Sequence, residues 1–93
     1  MKISFTNEFL VLLNEQIIYI SKDKPKAAKK FKKELLLNLN KDLKFPYNYK
    51  KSIYFNNIEI RDYIFKGYTI VYEVSEEQQK VTVFEFIKYM ETL

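Results

Sequence analysis

The run Gly67-Tyr68-Thr69-Ile70-Val71-Tyr72-Glu73-Val74 constrains this chain more than any other stretch. Tyr68, Ile70, Tyr72 and Val74 alternate with Thr69, Val71 and Glu73, so aromatic and β-branched residues recur with period two, the pattern of a half-buried strand. The protein's only glycine, Gly67, stands at its start with Lys66 before it. Glycine supplies the positive φ that a tight hairpin requires, so a second strand is expected to precede it, with Ile58, Ile60 and Ile64 alternating with Glu59, Arg61 and Phe65. After the polar loop Ser75 to Gln79, Val81-Thr82-Val83-Phe84-Glu85-Phe86-Ile87 reads as a third strand. Apolar residues fall on both of its sides, which places it in the interior of the sheet.

The N-terminal half reads differently. Lys2-Ile3-Ser4-Phe5 has the look of a short strand, and Thr6 or Asn7 is suited to cap a helix whose first turn carries Glu8. From Phe9 to Ile20, Leu10, Leu13, Ile17 and Ile20 recur at spacings of three and four, with Phe9, Leu12 and Ile18 widening the stripe; this helix is expected to be well buried. A polar cap two residues before Pro25 signals a restart, giving a second helix from about Pro25 to Leu39 with Ala28, Phe31, Leu35 and Leu39 inward. So short a connection makes the two helices an αα-hairpin. Residues 40–57 read as loop, in which Pro46 holds Phe45 extended and Phe45 or Tyr47 is expected to plug the end of the core.

The element order is therefore β-α-α-β-β-β, an α+β domain spanning residues 1–93 in which a helical hairpin packs on one face of a mostly antiparallel four-stranded sheet. No element remains to cover the other face, which is expected to be free for a partner.

Composition narrows the chemistry. The 93 residues include neither cysteine nor histidine, which removes disulfides, thiolate metal sites and the commonest general base near neutrality. Among the motifs sought, a Gly-rich phosphate loop, a Ser/His/Asp set and acids spaced as metal ligands are all absent, so no cofactor is expected. No leader or membrane span is read, and the expected compartment is the cytoplasm. The net charge of +4 is unevenly spread: residues 1–46 hold ten lysines against five acids, whereas residues 47–93 hold six bases against seven acids.

Two features invite a functional reading. Seven lysines fall within residues 22–33, and Lys26, Lys29, Lys30 and Lys33 share the exposed side of the second helix. Such a stripe suits nucleic acid or an acidic partner, and equally suits a solvated face that keeps a small domain soluble. Arg61 is the only arginine among sixteen basic residues. Its planar fork suits a phosphate or a partner's carboxylate, or an internal pair with Glu59, Asp62 or Glu85. Tyr63, on the same strand face as Arg61, and Tyr89, beside Lys88, are the tyrosines best placed to meet a ligand.

The string Ile60-Arg61-x-Tyr63-Ile64-x-x-Gly67-Tyr68-x-Ile70-Val71-Tyr72-x-Val74, followed by Val81-x-Val83, resembles the strand core of the RelE/ParE superfamily of toxins from bacterial type II toxin-antitoxin modules. With the element order, the resemblance covers roughly residues 3 to 88. It implies a partner antitoxin with an extended, partly helical and acidic tail, the two forming a toxin-antitoxin hetero-oligomer. It also implies one of two modes of action. RelE-like members cut mRNA on the ribosome, and for that chemistry Arg61, Lys88 and Tyr89 are the candidates here. The usual arginine after Gly-Tyr in the central strand is Thr69 in this chain, a departure that favours the ParE-like mode, in which the toxin binds DNA gyrase. A degenerate, non-toxic relative is the remaining alternative.

Overall fold

The computed structural model describes residues 1–88. The chain runs β1 (Lys2–Phe5), α1 (Asn7–Ser21), α2 (Pro25–Asp42), a 3-10 turn (Pro46–Asn48), β2 (Ile60–Phe65), β3 (Tyr68–Ser75) and β4 (Lys80–Lys88). The strands form one sheet in the order β1-β4-β3-β2, with β1 parallel to β4 and the other two pairings antiparallel. This is the expected α+β order, and β4 is interior, as expected.

Local chemistry sets the element ends. Thr6 caps α1, its hydroxyl oxygen accepting the Phe9 amide at 3.1 Å. Asp23 does not cap α2: that position falls to Lys24, with no side-chain bond, and Pro25 opens the helix. The Asp23 and Lys24 amides instead donate to the Ile20 carbonyl and so close the end of α1. In the β2–β3 hairpin Lys66 and Gly67 both have positive φ, 48° and 84°, as a two-residue turn that follows the twist of its strands demands.

Phe9 and Leu13 of α1 and Phe31, Leu35 and Leu39 of α2 pack onto Ile70, Tyr72, Val74, Val81, Val83 and Phe86. Val83 and Phe86 reach the same core because the β3–β4 register slips beside Val71 and Tyr72, leaving Phe84 without a partner across the ladder. The extra residue reverses the alternation, which is why β4 looks apolar on both sides.

Three expectations need correction. Helix α1 is less buried than its composition suggests, for Val11, Ile18 and Tyr19 face solvent. Neither Phe45 nor Tyr47 plugs the core, being 66% and 40% exposed; the buried Pro46 does so, its carbonyl accepting the Tyr72 hydroxyl. The outer face of the sheet, away from the helices, is partly covered by the crossover from residue 49 to residue 59. Lys50–Ser52 add a short antiparallel bridge along β2, through Asp62 N to Lys50 O at 3.1 Å and Ser52 N to Ile60 O at 2.8 Å. Phe55 then meets Phe84 edge to face at 5.4 Å, and Thr69 and Val71 are buried on that side.

Candidate partner-binding surfaces

On α2, Lys26, Lys29, Lys30 and Lys33 are all exposed. Their spacing of three and four puts them on one helical face, within about 10 Å along the axis. Lys30 lies 3.9 Å from Glu34, a carboxylate already taken by Lys66 at 2.8 Å. That hydrogen bond holds the Glu34 pKa below the usual carboxylate range. Among the described residues Lys26, Lys29 and Lys33 have no acidic partner, so their charge is available to another molecule.

Arg61 sits otherwise. Its Nε donates to the Ile58 carbonyl at 2.9 Å and its Nη1 to the Tyr49 carbonyl at 2.9 Å, while the guanidinium lies 4.8 Å from the centre of the Tyr47 ring. None of Glu59, Asp62 and Glu85 forms an ion pair with it. Nearby, the Tyr47 hydroxyl donates to Glu59 Oε2 at 2.6 Å, which pushes the phenol up to about 12. The one arginine therefore ties together the two ends of the crossover, using the fork geometry on carbonyls of its own chain.

Tyr63 is buried at 6% exposure, a correction to its expected place at the surface. It packs edge to face on Tyr49, and its hydroxyl donates to Asp42 Oδ2 at 2.5 Å. Burial first, and then this hydrogen bond, raise its pKa; burial does the same for Tyr72. A phenol so held has no proton exchange near neutral pH to offer a reaction.

Lys88 is exposed at the end of β4, with its ammonium 5.2 Å from the Tyr19 ring centre. Tyr89 lies outside the described residues. Arg61 pairs with Tyr72 and Lys88 with Tyr68, so the two cations stand four residues of β3 apart and on opposite flanks of that strand. The separation along the strand alone is about 13 Å. The structure does not bring Arg61 and Lys88 together around one reacting phosphate.

The crossover builds a surface that sequence reasoning missed. Between it and the outer face of β2 and β3 lies a cleft of about 460 Å³, lined by Tyr49, Lys50, Lys51, Ile53, Asp62, Ile64 and Thr69 among others. Asp62 Oδ2 accepts the Ile53 amide at 3.0 Å and fixes the far wall. The available signal was the hairpin: a two-residue turn pairs Phe65 with Tyr68, which turns Tyr63 and Phe65 inward and Ile64 outward.

Among the described residues there is no group of acids placed to hold a metal ion, and no helix is long and apolar enough to cross a membrane.

Comparison with known proteins adds to this geometry. The model of a family described as "ParE toxin of type II toxin-antitoxin system, parDE" matches residues 3–91. Among solved structures, one titled "Chromosomal ParDE TA system from P. aeruginosa" superposes with a TM-score of 0.76, at 12% identity and covering 97% of each chain, a likeness of fold. No curated protein matches the sequence.

Proposed function

The chain belongs to the ParE toxin family of type II toxin-antitoxin systems, and from that premise we propose that it is a growth-inhibiting toxin that binds DNA gyrase and is neutralised by a cognate antitoxin. It acts in the cytoplasm, where such a module can stabilise a plasmid.

The observation that carries the binding mode is the separation of Arg61 from Lys88. Cleavage of RNA through its 2′-hydroxyl needs a base, an acid and cations converging on one phosphate. Here histidine is absent, Arg61 is engaged by its own backbone and Lys88 lies across the sheet. Binding requires shape and charge alone. The lysines at 26, 29, 30 and 33 supply charge on the helical side, where they favour an acidic antitoxin segment held with an affinity that falls as salt rises.

The test separates binding from cleavage. With the chain added to a gyrase reaction and to a translating extract, cleaved gyrase-DNA complexes accumulate and mRNA stays intact. Specific cuts in ribosome-bound mRNA would overturn the reading in favour of a RelE-like nuclease. Growth unaffected by expression of the chain alone would mark a degenerate relative.

A further inference from the structure

We propose that the crossover and the outer face of β2 form the target-docking surface, which receives an apolar side chain ringed by carboxylates on a protein partner. This rests on the reading of the chain as a gyrase-binding toxin and assigns that contact to one place.

Apolar residues stand in water on α1 and α2 as well, at Val11, Ile18, Tyr19 and Leu37, but those on the crossover and β2 include the most exposed of all and line a concavity. Ile53 is 83% exposed, and Ile64, on the neighbouring strand, is 66% exposed. Ile53 also stands between two concavities: the cleft of about 460 Å³ that it shares with Ile64, and a second of about 510 Å³ that it shares with Tyr54 and Phe55. Exposed apolar side chains that line a concavity together, rather than singly, are the usual setting of a contact surface.

Rim charge selects the occupant. Lys50 and Lys51 line the cleft and are exposed, against one acid, Asp62, whose Oδ2 accepts the Ile53 amide and whose Oδ1 is buried without a hydrogen-bond partner. Two exposed lysines against one half-buried carboxylate leave the rim positive on balance, and the complement is acidic. Nucleic acid would satisfy the lysines and gain nothing from Ile53 and Ile64. A second copy of the chain would set the same lysines against each other. An acid-rimmed protein knob satisfies both the walls and the rim. The helices pack on the inner face of the sheet, so this surface is separate from the lysine face of α2.

The experiment measures binding of the full chain to immobilised gyrase holoenzyme and, separately, to the purified antitoxin. Ile53→Asp and Ile64→Asp are each expected to weaken gyrase binding about tenfold or more, the effect of losing an interface anchor. Lys50→Glu with Lys51→Glu should weaken it less and flatten its salt dependence. Antitoxin affinity and melting temperature should stay close to those of the unsubstituted chain, because both isoleucines already face solvent. Unchanged gyrase binding by the variants, or a loss of antitoxin binding in its place, overturns the assignment alone. Failure of the unsubstituted chain to bind gyrase overturns the preceding reading together with this one.

Discussion

Arg61 shows how a residue chosen for its chemistry can be turned inward. Its guanidinium meets two carbonyls nine residues apart, at Tyr49 and Ile58, and covers the Tyr47 ring. Truncation leaves both carbonyls without that donor and frees the crossover. Arg61→Ala should therefore cost about 2 kcal/mol, the scale of hydrogen bonds to a charged group, and lower the melting point by roughly 10 °C in a domain of this size. Arg61→Lys should recover less than half of the loss, because one ammonium cannot reproduce the fork. Thermal unfolding followed by circular dichroism checks both. A melting point unchanged in Arg61→Ala would show that the clamp contributes nothing and would return Arg61 to the pool of ligand contacts. The sequence showed that this arginine was singular. It could not show the partners, because carbonyl acceptors are present at every residue and leave no mark in composition.

At the scale of elements, what was legible was what short-range chemistry decides. The α1 cap, read as Thr6 or Asn7 and found at Thr6, the proline at the start of α2 and the Lys66-Gly67 turn each depend on a few adjacent residues, whereas the polar cap read before Pro25 is replaced by Lys24. The faces of β2 were harder, because isoleucine on one side and aromatics on the other are both apolar. Only the pairing of Phe65 with Tyr68 decides between them. The cover over the outer face was illegible for a related reason: Lys50–Ser52 has no strand pattern and is ordered through the Asp62 amide and the Ile60 carbonyl. Since so much follows from the hairpin, its turn is the place to test it. A Cβ at Gly67 would meet nothing within 4 Å, so Gly67→Ala adds no clash and isolates the penalty of a positive φ. That penalty is about 1–2 kcal/mol for an L-residue. Gly67→Asn should recover part of it, since asparagine tolerates this region better. Denaturant midpoints measure the series, and an Ala variant as stable as the parent would show that the turn does not hold the register.

For the whole molecule, the two sides of the sheet offer different contact surfaces. The helical side carries a stripe of lysines, three of them without acidic partners among the described residues, and the outer side carries isoleucines and two further lysines beside a cleft. The division was half visible in the sequence, where the lysine stripe has a period and the cleft has none. It also makes the two proposed contacts separable. Neutralising Lys26, Lys29, Lys30 and Lys33 together to Gln removes four positive charges from a face that packs against nothing, so the fold and its melting point should change little. Each charge contributes a fraction of a kcal/mol at an exposed site, and four acting on one acidic segment should weaken antitoxin binding about tenfold or more at low salt. The difference from the parent should shrink as ionic strength rises and the Debye length falls from about 10 Å at 0.1 M toward 3 Å at 1 M. Titration of the antitoxin at several salt concentrations reads both quantities. If the Gln variant binds as tightly as the parent at low salt, the acidic segment lies elsewhere, and the lysine face is left with the solvating role that its composition equally allows.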